Sequence, residues 1–394
     1  DIGIDNIYQT DIDTFFLRNS YMKFFVYLIT LSTLLLSKNA GALSLNEAID
    51  ESLANNLLLK MEANAVDIAE EDYFQSKTSY LPSININANI AETEYSNLRA
   101  QSGISSNDYE LSPISKSIIL SQNLFSGFSR IYNSISSKES LNLKRLNQKK
   151  VTQDIILETI EAYYNVLIAE KTVRSYTDNL ESVNERSNAT IKEYEVGLAS
   201  KTDVAQAEAY LNNAKIDLLD SKIILKNLKN LFRDLVGVAA ENLIFSEINA
   251  DIPNSFNQFK EILIANNYSI RMAEANLNIM DANVGVAQSA YYPQLNLTAT
   301  KSELDEYSST VDELTSEEIK ASLNWPIFTA GKSLSNVRKA KEMKNSQYIL
   351  LHKTRNEAVI LSENIWDKFQ ISEQTIKAAE LTYNANQTAY KGTV

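Results

Sequence analysis

Few residues in this 394-residue chain have the chemistry and the spacing that catalysis requires. His352 is the single histidine, and it lies in a helical-looking stretch that favours a structural role over a catalytic one. Cysteine is absent, which excludes a disulfide, a thiolate metal site and a cysteine nucleophile. The acidic run Glu70, Glu71 and Asp72 is typical of a solvated helix face, and no phosphate-binding loop or Ser–His arrangement accompanies it. These patterns disfavour an enzyme, and we expect neither a metal nor a cofactor.

The composition instead predicts long, uninterrupted elements. The chain has only 9 glycines and 5 prolines, while 44% of its residues are hydrophobic and 22% are charged. Such a chain can bury a core, and the scarcity of helix breakers favours long helices. The net charge is −13 and no cluster of Lys and Arg stands out, so nucleic acid is not an expected partner.

Residues 22–42 have the features of a cleavable export signal. Lys23 supplies the positive charge, Phe24–Leu36 the apolar core and Ala40-Gly41-Ala42 the cleavage site. Residues 1–21 precede a plausible start methionine and are interpreted as a non-native upstream extension. No cysteine follows the apolar core, and no later segment approaches ~18 consecutive apolar residues. Such a chain is expected to be periplasmic, secreted or inserted in the outer membrane.

The rest of the chain repeats one plan, in residues 43–250 and again in residues 251–394. Each copy begins with an amphipathic helix, predicted from Leu45 to about Tyr80 and from about Phe256 to Tyr291. An aromatic residue and a proline end each helix, and apolar residues then alternate with polar ones. This alternation predicts a strand with one apolar face in each copy, formed by Ile84, Ile86, Ala88 and Ile90 and by Leu295, Leu297 and Ala299.

A second alternating run completes a hairpin in each copy, over residues 82–125 and 293–328. Polar, acidic loops are predicted between the strands, at Glu92–Ser112 and Glu303–Glu318. Each hairpin ends in a similar turn, Leu124-Phe125-Ser126-Gly127 in the first copy and Ile327-Phe328-Thr329-Ala330-Gly331 in the second. Two hairpins at equivalent places indicate an internal structural repeat.

The helices after the first hairpin have coiled-coil periodicity. Arg130 to Val196 contains no glycine or proline, and as one helix it would extend on the order of 100 Å. In the next helix, apolar residues recur in steps of three and four, with one polar member: Val204, Ala207, Leu211, Ala214, Leu218, Ser221, Leu225, Leu228, Phe232 and Leu235. This spacing predicts a coiled-coil seam and hence an antiparallel helical hairpin.

The connection between these two helices predicts a tight tip. Gly197 can adopt the left-handed conformation that ends a helix, and either Ser200 or Thr202 can cap the following one. Asp203 would then lie in the first turn, where a negative charge suits the helix dipole.

Four strands in one chain cannot close a membrane barrel, because open strand edges in lipid leave backbone groups unsatisfied. Several identical chains that each donate four strands can close one, with symmetry supplying the closure. The long helices would continue the wall into the periplasm. The patterns therefore favour a channel subunit.

The arrangement resembles the TolC family of outer-membrane efflux proteins over Leu43 to Val394. The resemblance rests on the opening Leu45-Asn46-Glu47-Ala48-Ile49, the two tyrosine–proline strand starts, the two Phe-containing turns and Val196-Gly197-Leu198. It implies a mainly α fold with β, with two internal structural repeats. Long coiled-coil helices would form a periplasmic α-barrel, and four strands per chain would enter a trimeric, twelve-stranded transmembrane β-barrel.

The resemblance also implies function, partners and sites. It implies a passive exit duct for small molecules or proteins, in a tripartite efflux pump or a type I secretion system, with a periplasmic adaptor and an inner-membrane pump. It places the adaptor-binding tip at Val196, Gly197 and Leu198 and, in the second copy, at Gly392 and Thr393. A plain helix C-cap is the alternative role of both glycines. It places a periplasmic gate at Thr202 and Asp203, although Asp203 is alternatively only a helix-start charge.

The sequence departs from the family pattern near its end. Two further gate positions fall on Ala389 and Val394 instead of the family's tyrosine and arginine, and the second copy has no counterpart of the helix after Gly197. We expect a chain that stops there to assemble poorly.

Two other interpretations are possible from the sequence. A periplasmic adaptor-like coiled-coil protein of an export system is also exported, but such a protein should have glycine-rich β domains and one helical hairpin. A soluble helical scaffold leaves the alternating strands unexplained.

Overall fold

The computed structural model describes residues 42–95, 109–247, 251–308 and 311–393. The predictions for residues 1–21 and for all but the last residue of the export signal concern residues outside these ranges. None of the helices within the described ranges combines the length and apolar character needed to cross a bilayer. The elements follow in the order α1 (Leu45–Asn55), α2 (Leu57–Thr78), β1 (Ser83–Ile90), β2 (Thr93–Tyr95), β3 (Tyr109–Leu111), β4 (Ile114–Ser126), α3 (Ser129–Glu195), α4 (Lys201–Val236), α5 (Phe256–Asn266), α6 (Tyr268–Gln288), β5 (Gln294–Ser308), β6 (Val311–Asn324) and α7 (Lys332–Thr393).

The first helix of each copy is broken, which the prediction of one continuous helix missed. Asn56 has an extended backbone, with φ −61° and ψ 121°, and its side chain accepts the backbone N–H groups of Leu58 and Leu59. Asn267 does the same at φ −67° and ψ 116°, accepting the N–H of Ile270. Each asparagine therefore caps a new helix and satisfies donors that the helix start leaves free. The second helix of the later copy ends in a 3₁₀ turn, Ser289–Tyr291.

The described residues form a four-stranded antiparallel sheet in the order β1-β4-β5-β6, which contains the two hairpins that the alternation predicts. The two hairpins are β1–β4 and β5–β6, and the pairing of β4 with β5 joins the two copies. Ser83 pairs with Ser121, 38 residues later, whereas Gln294 pairs with Asn324, 30 residues later.

The prediction of an acidic loop at Glu303–Glu318 was wrong, because most of this segment is strand. β5 and β6 run through it and pair continuously from Gln294 to Asp305, with Lys301 Nζ 3.1 Å from a carboxylate oxygen of Glu317. In the first copy, the short strands β2 and β3 pair within the predicted loop Glu92–Ser112. Charged and polar residues outnumber the apolar ones in these segments, so apolar alternation does not detect them.

The chain divides into two compact units, and α3 contributes to both. The first unit contains the described residues 42–55 and 156–247, including the helical hairpin of α3 and α4. The predicted seam of α4 is correct, since every residue in it is buried or half-buried. Its core lies at the base of the hairpin and consists of Leu45, Ala48, Tyr163, Val166, Leu167, Phe232, Val236 and Ala240.

The Tyr163 side chain of this core links two segments of the first unit by hydrogen bonds. The Tyr163 hydroxyl lies 2.7 Å from the Leu43 carbonyl oxygen and 2.6 Å from that of Ile244, and it accepts the N–H of Ile244 at 3.1 Å. Burial raises the pKa of this hydroxyl. The tyrosine therefore holds the segment before α1 beside the segment after α4.

The second unit contains the described residues 56–155 and 251–393. In this unit, the strands of the sheet connect to α2, the first part of α3, α6 and α7. A small core of Ile270, Ala273, Leu351 and Ala358 joins α6 to α7. Trp366 of α7 contacts Phe256 and Phe259 of α5, with ring centroids 6.3 and 5.8 Å apart.

Candidate functional site at the helical tip

The tip of the first unit begins with a Schellman motif at the end of α3. Gly197 is in the left-handed region at φ +77°, and its N–H donates to the Tyr194 carbonyl oxygen at 3.0 Å. The N–H of Leu198 reaches back to the Glu193 carbonyl oxygen at 2.8 Å. These two bonds satisfy carbonyls that the helix end leaves free, and a side chain with a Cβ would be strained at Gly197. The helix-ending role predicted for Gly197 is therefore observed.

A capping box begins α4. The backbone N–H of Ser200 donates to the Asp203 carboxylate at 2.7 Å, and the N–H of Asp203 donates to the Ser200 hydroxyl oxygen at 3.2 Å. Ser200 is thus the cap, and Thr202, the other predicted candidate, lies exposed in the first turn. The hydrogen bonds from the Ser200 hydroxyl and backbone lower the pKa of the Asp203 carboxyl.

Two apolar side chains project from this rigid turn. Val196 is 71% exposed and Leu198 is 81% exposed, although every backbone N–H group from Val196 to Ser200 donates a hydrogen bond. Exposed apolar side chains held on a fixed backbone are suited to contact another protein, because little conformational entropy is lost on binding. The tip therefore exposes a small apolar surface, formed by Val196 and Leu198, between the end of α3 and the start of α4.

A polar groove lies between α3 and α4 behind the tip, with a volume of about 540 Å³. It is lined on α4 by Asp203, Gln206, Tyr210 and Asp217 and on α3 by residues that include Arg186. Of the polar residues that line this groove, the sequence singled out only Asp203, because the spacing of apolar heptads does not mark polar positions. Gln206 and Tyr210, four residues apart with their side-chain nitrogen and oxygen 3.4 Å from each other, are the signal that a search for polar neighbours would find.

The predicted site residues fall into two groups. Val196, Gly197, Leu198, Thr202 and Asp203 meet in the one tip just described. The second predicted tip, Gly392 and Thr393, belongs to the other compact unit and forms the last described turn of α7. Within the described ranges, no group of three or more His, Asp or Glu side chains is placed to hold a metal ion.

The comparison with known proteins decides which family this arrangement represents. The family model described as outer membrane efflux protein matches residues 48–233 and 261–393. The chain belongs to this family. The match covers α1 to most of α4 and then α5 to α7, so both sequence copies contribute to it.

Relatives and solved structures agree with this assignment. The outer membrane efflux protein BepC of Brucella suis is 24% identical over 363 residues, which cover 92% of this chain and 77% of BepC. The alkaline protease secretion protein AprF of Pseudomonas aeruginosa is 20% identical over 61% of this chain and 52% of its own length. The structure of the CmeC outer membrane channel of Campylobacter jejuni superposes with a TM-score of 0.69 at 20% identity, over 84% of this chain and 74% of CmeC.

These comparisons confirm several predictions from the sequence. The resemblance to the TolC family, the mainly helical fold with a four-stranded sheet and the location in the outer membrane are correct. The channel interpretation prevails over the periplasmic adaptor. The family transports rather than catalyses. The roles of the tip and the gate residues stay predictions.

Proposed function

We propose that the chain is one subunit of a passive outer-membrane duct built by three copies, coupled to a periplasmic adaptor and an inner-membrane pump. The observation that carries this proposal is the open sheet. Within the described ranges, β1 and β6 each pair on one side only, so four strands leave two free edges. Free edges are costly in lipid, and pairing between identical copies removes them.

The two faces of the sheet differ as a duct wall requires. One face carries exposed apolar residues near the helices, with Ile86 76%, Ile319 82% and Leu323 67% exposed in the single chain. The opposite face is polar, and there the Asn123 amide donates to the Asn296 amide oxygen at 2.6 Å across β4 and β5. An apolar face suits lipid and a polar face suits a water-filled lumen.

The helical hairpin supplies the periplasmic part of the proposed duct. Its exposed Val196 and Leu198 are suited to receive an adaptor, and Gly197 fixes their direction. The lowered pKa keeps the Asp203 carboxylate charged, which suits a gate contact with a cation of a neighbouring subunit. Thr202 would support the same contact from the first turn of α4. Gly392 and Thr393 are proposed as the second adaptor contact.

Membrane fractionation combined with complementation tests the proposed function. In a Gram-negative host that lacks its own efflux channel, the protein should sediment with outer membranes and require detergent for extraction. It should also restore tolerance to a toxic dye when a cognate adaptor and pump are present. Release by a salt wash, or growth unchanged by the protein in such a complete system, would count against a membrane duct.

The cargo can be sorted by the same system. BepC is an efflux protein and AprF serves protease secretion, and this chain is related to both. Pairing the chain in turn with a drug pump and with a type I secretion pump, each with its adaptor, should give transport with one of the two.

A further inference from the structure

The polar face of the four-stranded sheet is lined mainly by short, uncharged side chains. The strand register places residues of all four strands in rows across this face, and hydroxyl and amide groups fill most positions. One complete row, for example, consists of Asn87, Ser117, Ser302 and Ser316. Such groups donate and accept hydrogen bonds, so this face suits contact with water and carries little charge of its own.

Two charged residues of β6 interrupt this lining. In the rows from Asn123 outward to Leu304, Glu318 and Lys320 are the only charged residues on this face of the part of the sheet that the structure describes. Both are exposed, and they lie two residues apart on one strand, or ~7 Å. Their side chains are longer than those of the serine, threonine and asparagine residues around them, so they can reach further into the proposed lumen.

The acidic residue next to Glu318 belongs to the other face of the sheet. Glu317 lies opposite Lys301, and a carboxylate oxygen of Glu317 is 3.1 Å from the Lys301 Nζ atom. The two charges of this pair offset each other on the apolar face. A substitution of Glu317 therefore changes the same strand without changing the proposed lumen, because successive side chains point to opposite faces.

We propose that Glu318 and Lys320 form a charged collar in the sheet-lined lumen and determine which charge of cargo passes it. The inference rests on the proposed three-copy duct, in which each copy contributes one residue of each sign. The opposite charges offset each other, so the native collar admits cargo of either sign. Removing or inverting one of the two charges should make this segment of the duct selective.

The range of the two charges determines which cargo the collar can act on. At physiological ionic strength the Debye length is ~8 Å, so the field of a charge on the wall is screened a short distance from it. A small ion near the axis of the duct passes outside this range. A polypeptide or a large charged compound that fills the lumen touches the wall, and the collar is expected to act on cargo of this kind.

Charged thiol reagents test the local potential, and the absence of cysteine makes every introduced thiol unambiguous. Thr300 pairs with Glu318, and Thr298 pairs with Lys320. In outer membranes, the thiol of Thr300→Cys should react faster with a cationic methanethiosulfonate than with an anionic one, and Thr298→Cys should show the opposite preference. Relative to a free thiol in solution, each preference should be about threefold at low ionic strength and should vanish at about 1 M salt.

The matched controls remove one carboxylate at a time in the Thr300→Cys variant. Adding Glu318→Gln should abolish the preference for the cationic reagent, because the charge opposite the thiol is gone. Adding Glu317→Gln should preserve the preference, because Glu317 lies on the other face of the same strand. A nearby charge also changes the pKa of the thiol, but this change affects both reagents alike and cancels in the ratio of their rates.

The outcomes separate the collar from the duct. Thiols that react without a preference, a preference that survives Glu318→Gln, or one that is lost with Glu317→Gln overturns the collar while the water-filled lumen stands. If the Thr298→Cys and Thr300→Cys proteins reach the outer membrane and react with neither reagent, this face is not exposed to water. That result overturns the collar together with the duct.

Transport tests the preference for cargo directly. Glu318→Lys makes the collar positive, and Lys320→Glu makes it negative. In a host with a complete pump, Glu318→Lys should lower tolerance to a bulky cationic dye by at least about twofold, because like charges on the wall repel cargo that touches it. Lys320→Glu should not lower this tolerance.

The control for the transport test is the exchanged variant Glu318→Lys/Lys320→Glu. Its collar has no net charge, so it should restore the tolerance that Glu318→Lys loses. Equal tolerance in all these variants, at equal amounts of protein in the outer membrane, overturns the proposed role of the collar in cargo selection.

Discussion

At the scale of single residues, the tip is ordered by side-chain and backbone hydrogen bonds rather than by burial. The Schellman motif at Gly197 and the capping box of Ser200 and Asp203 fix two helix ends within a few residues of each other. The exposed Leu198 is carried between them. A tip that is ordered although it is exposed can bind a partner without first folding.

The capping box predicts a pH dependence of tip stability. The pKa of Asp203 is lowered in the folded state, so its stabilising contribution is complete above the unfolded value of about 4 and is lost as the pH falls through the folded value. Asp203→Asn should therefore lower thermal stability at pH 7 and lose this effect as the pH falls below 4. Glu208→Gln, which removes an exposed carboxylate further along α4, is the control and should change little at either pH.

Leu198 predicts an effect on binding without an effect on folding. Leu198→Glu places a charge on the exposed apolar point and should weaken adaptor capture at least tenfold. Leu231→Glu changes an exposed leucine of α4, 64% exposed and far along the helix from the tip, and should leave capture unchanged. Pull-down of the adaptor measures both, and equal capture by the two variants would remove the tip from the binding site.

The sequence could identify the tip because glycine, serine and aspartate have strong local preferences at helix ends. It left Ser200 and Thr202 as alternatives, since both hydroxyls are good caps and only the backbone geometry decides between them. The groove behind the tip was not predictable in the same way. Its polar residues come from two antiparallel helices, and their meeting depends on the register of the hairpin.

At the scale of elements, the two asparagine breaks show how a local signal is hidden by a periodic one. The apolar spacing continues across Asn56 and Asn267, so a helix is predicted straight through. In the structure, each asparagine is extended and its side chain caps a new helix. Asn-Asn pairs at both positions were the available clue.

Removing one cap should have a measurable cost. Asn267→Ala deletes the acceptor for the Ile270 N–H and should lower the free energy of unfolding by about 1 kcal/mol. Asn266→Ala is the neighbouring control, since Asn266 ends α5 and caps no helix start, and it should cost less. Chemical denaturation of the two variants side by side makes the comparison.

Gly285 predicts the reverse of the usual glycine-to-alanine effect. Alanine normally favours a helix by about 1 kcal/mol, but here the new methyl group would meet the Tyr132 ring at 2.4 Å. Gly285→Ala should therefore destabilise the protein by about 1–3 kcal/mol. Adding Tyr132→Leu should relieve the strain, and a stabilised single variant would contradict this account.

At the scale of the whole molecule, the sheet faces determine where the protein can reside. Ile86 and Asn87 are neighbours on β1 and point to opposite faces. Ile86→Lys places a charge on the proposed lipid face and should reduce the amount of protein in the outer membrane, at a cost of about 2–4 kcal/mol if the residue lies near the bilayer centre. Asn87→Lys places the same charge toward the lumen and should insert normally. Detergent extracts of outer membranes quantify both.

The unequal hairpins have a consequence for the surface that the cell shows to its surroundings. The paired bases of the first hairpin are 38 residues apart and those of the second are 30 apart, so eight more residues lie beyond the first. In the proposed ring of three copies, a longer and a shorter connection between strands would alternate at the end of the sheet away from the helices. A binding protein that recognises the longer connection would then find three equivalent sites on each trimer.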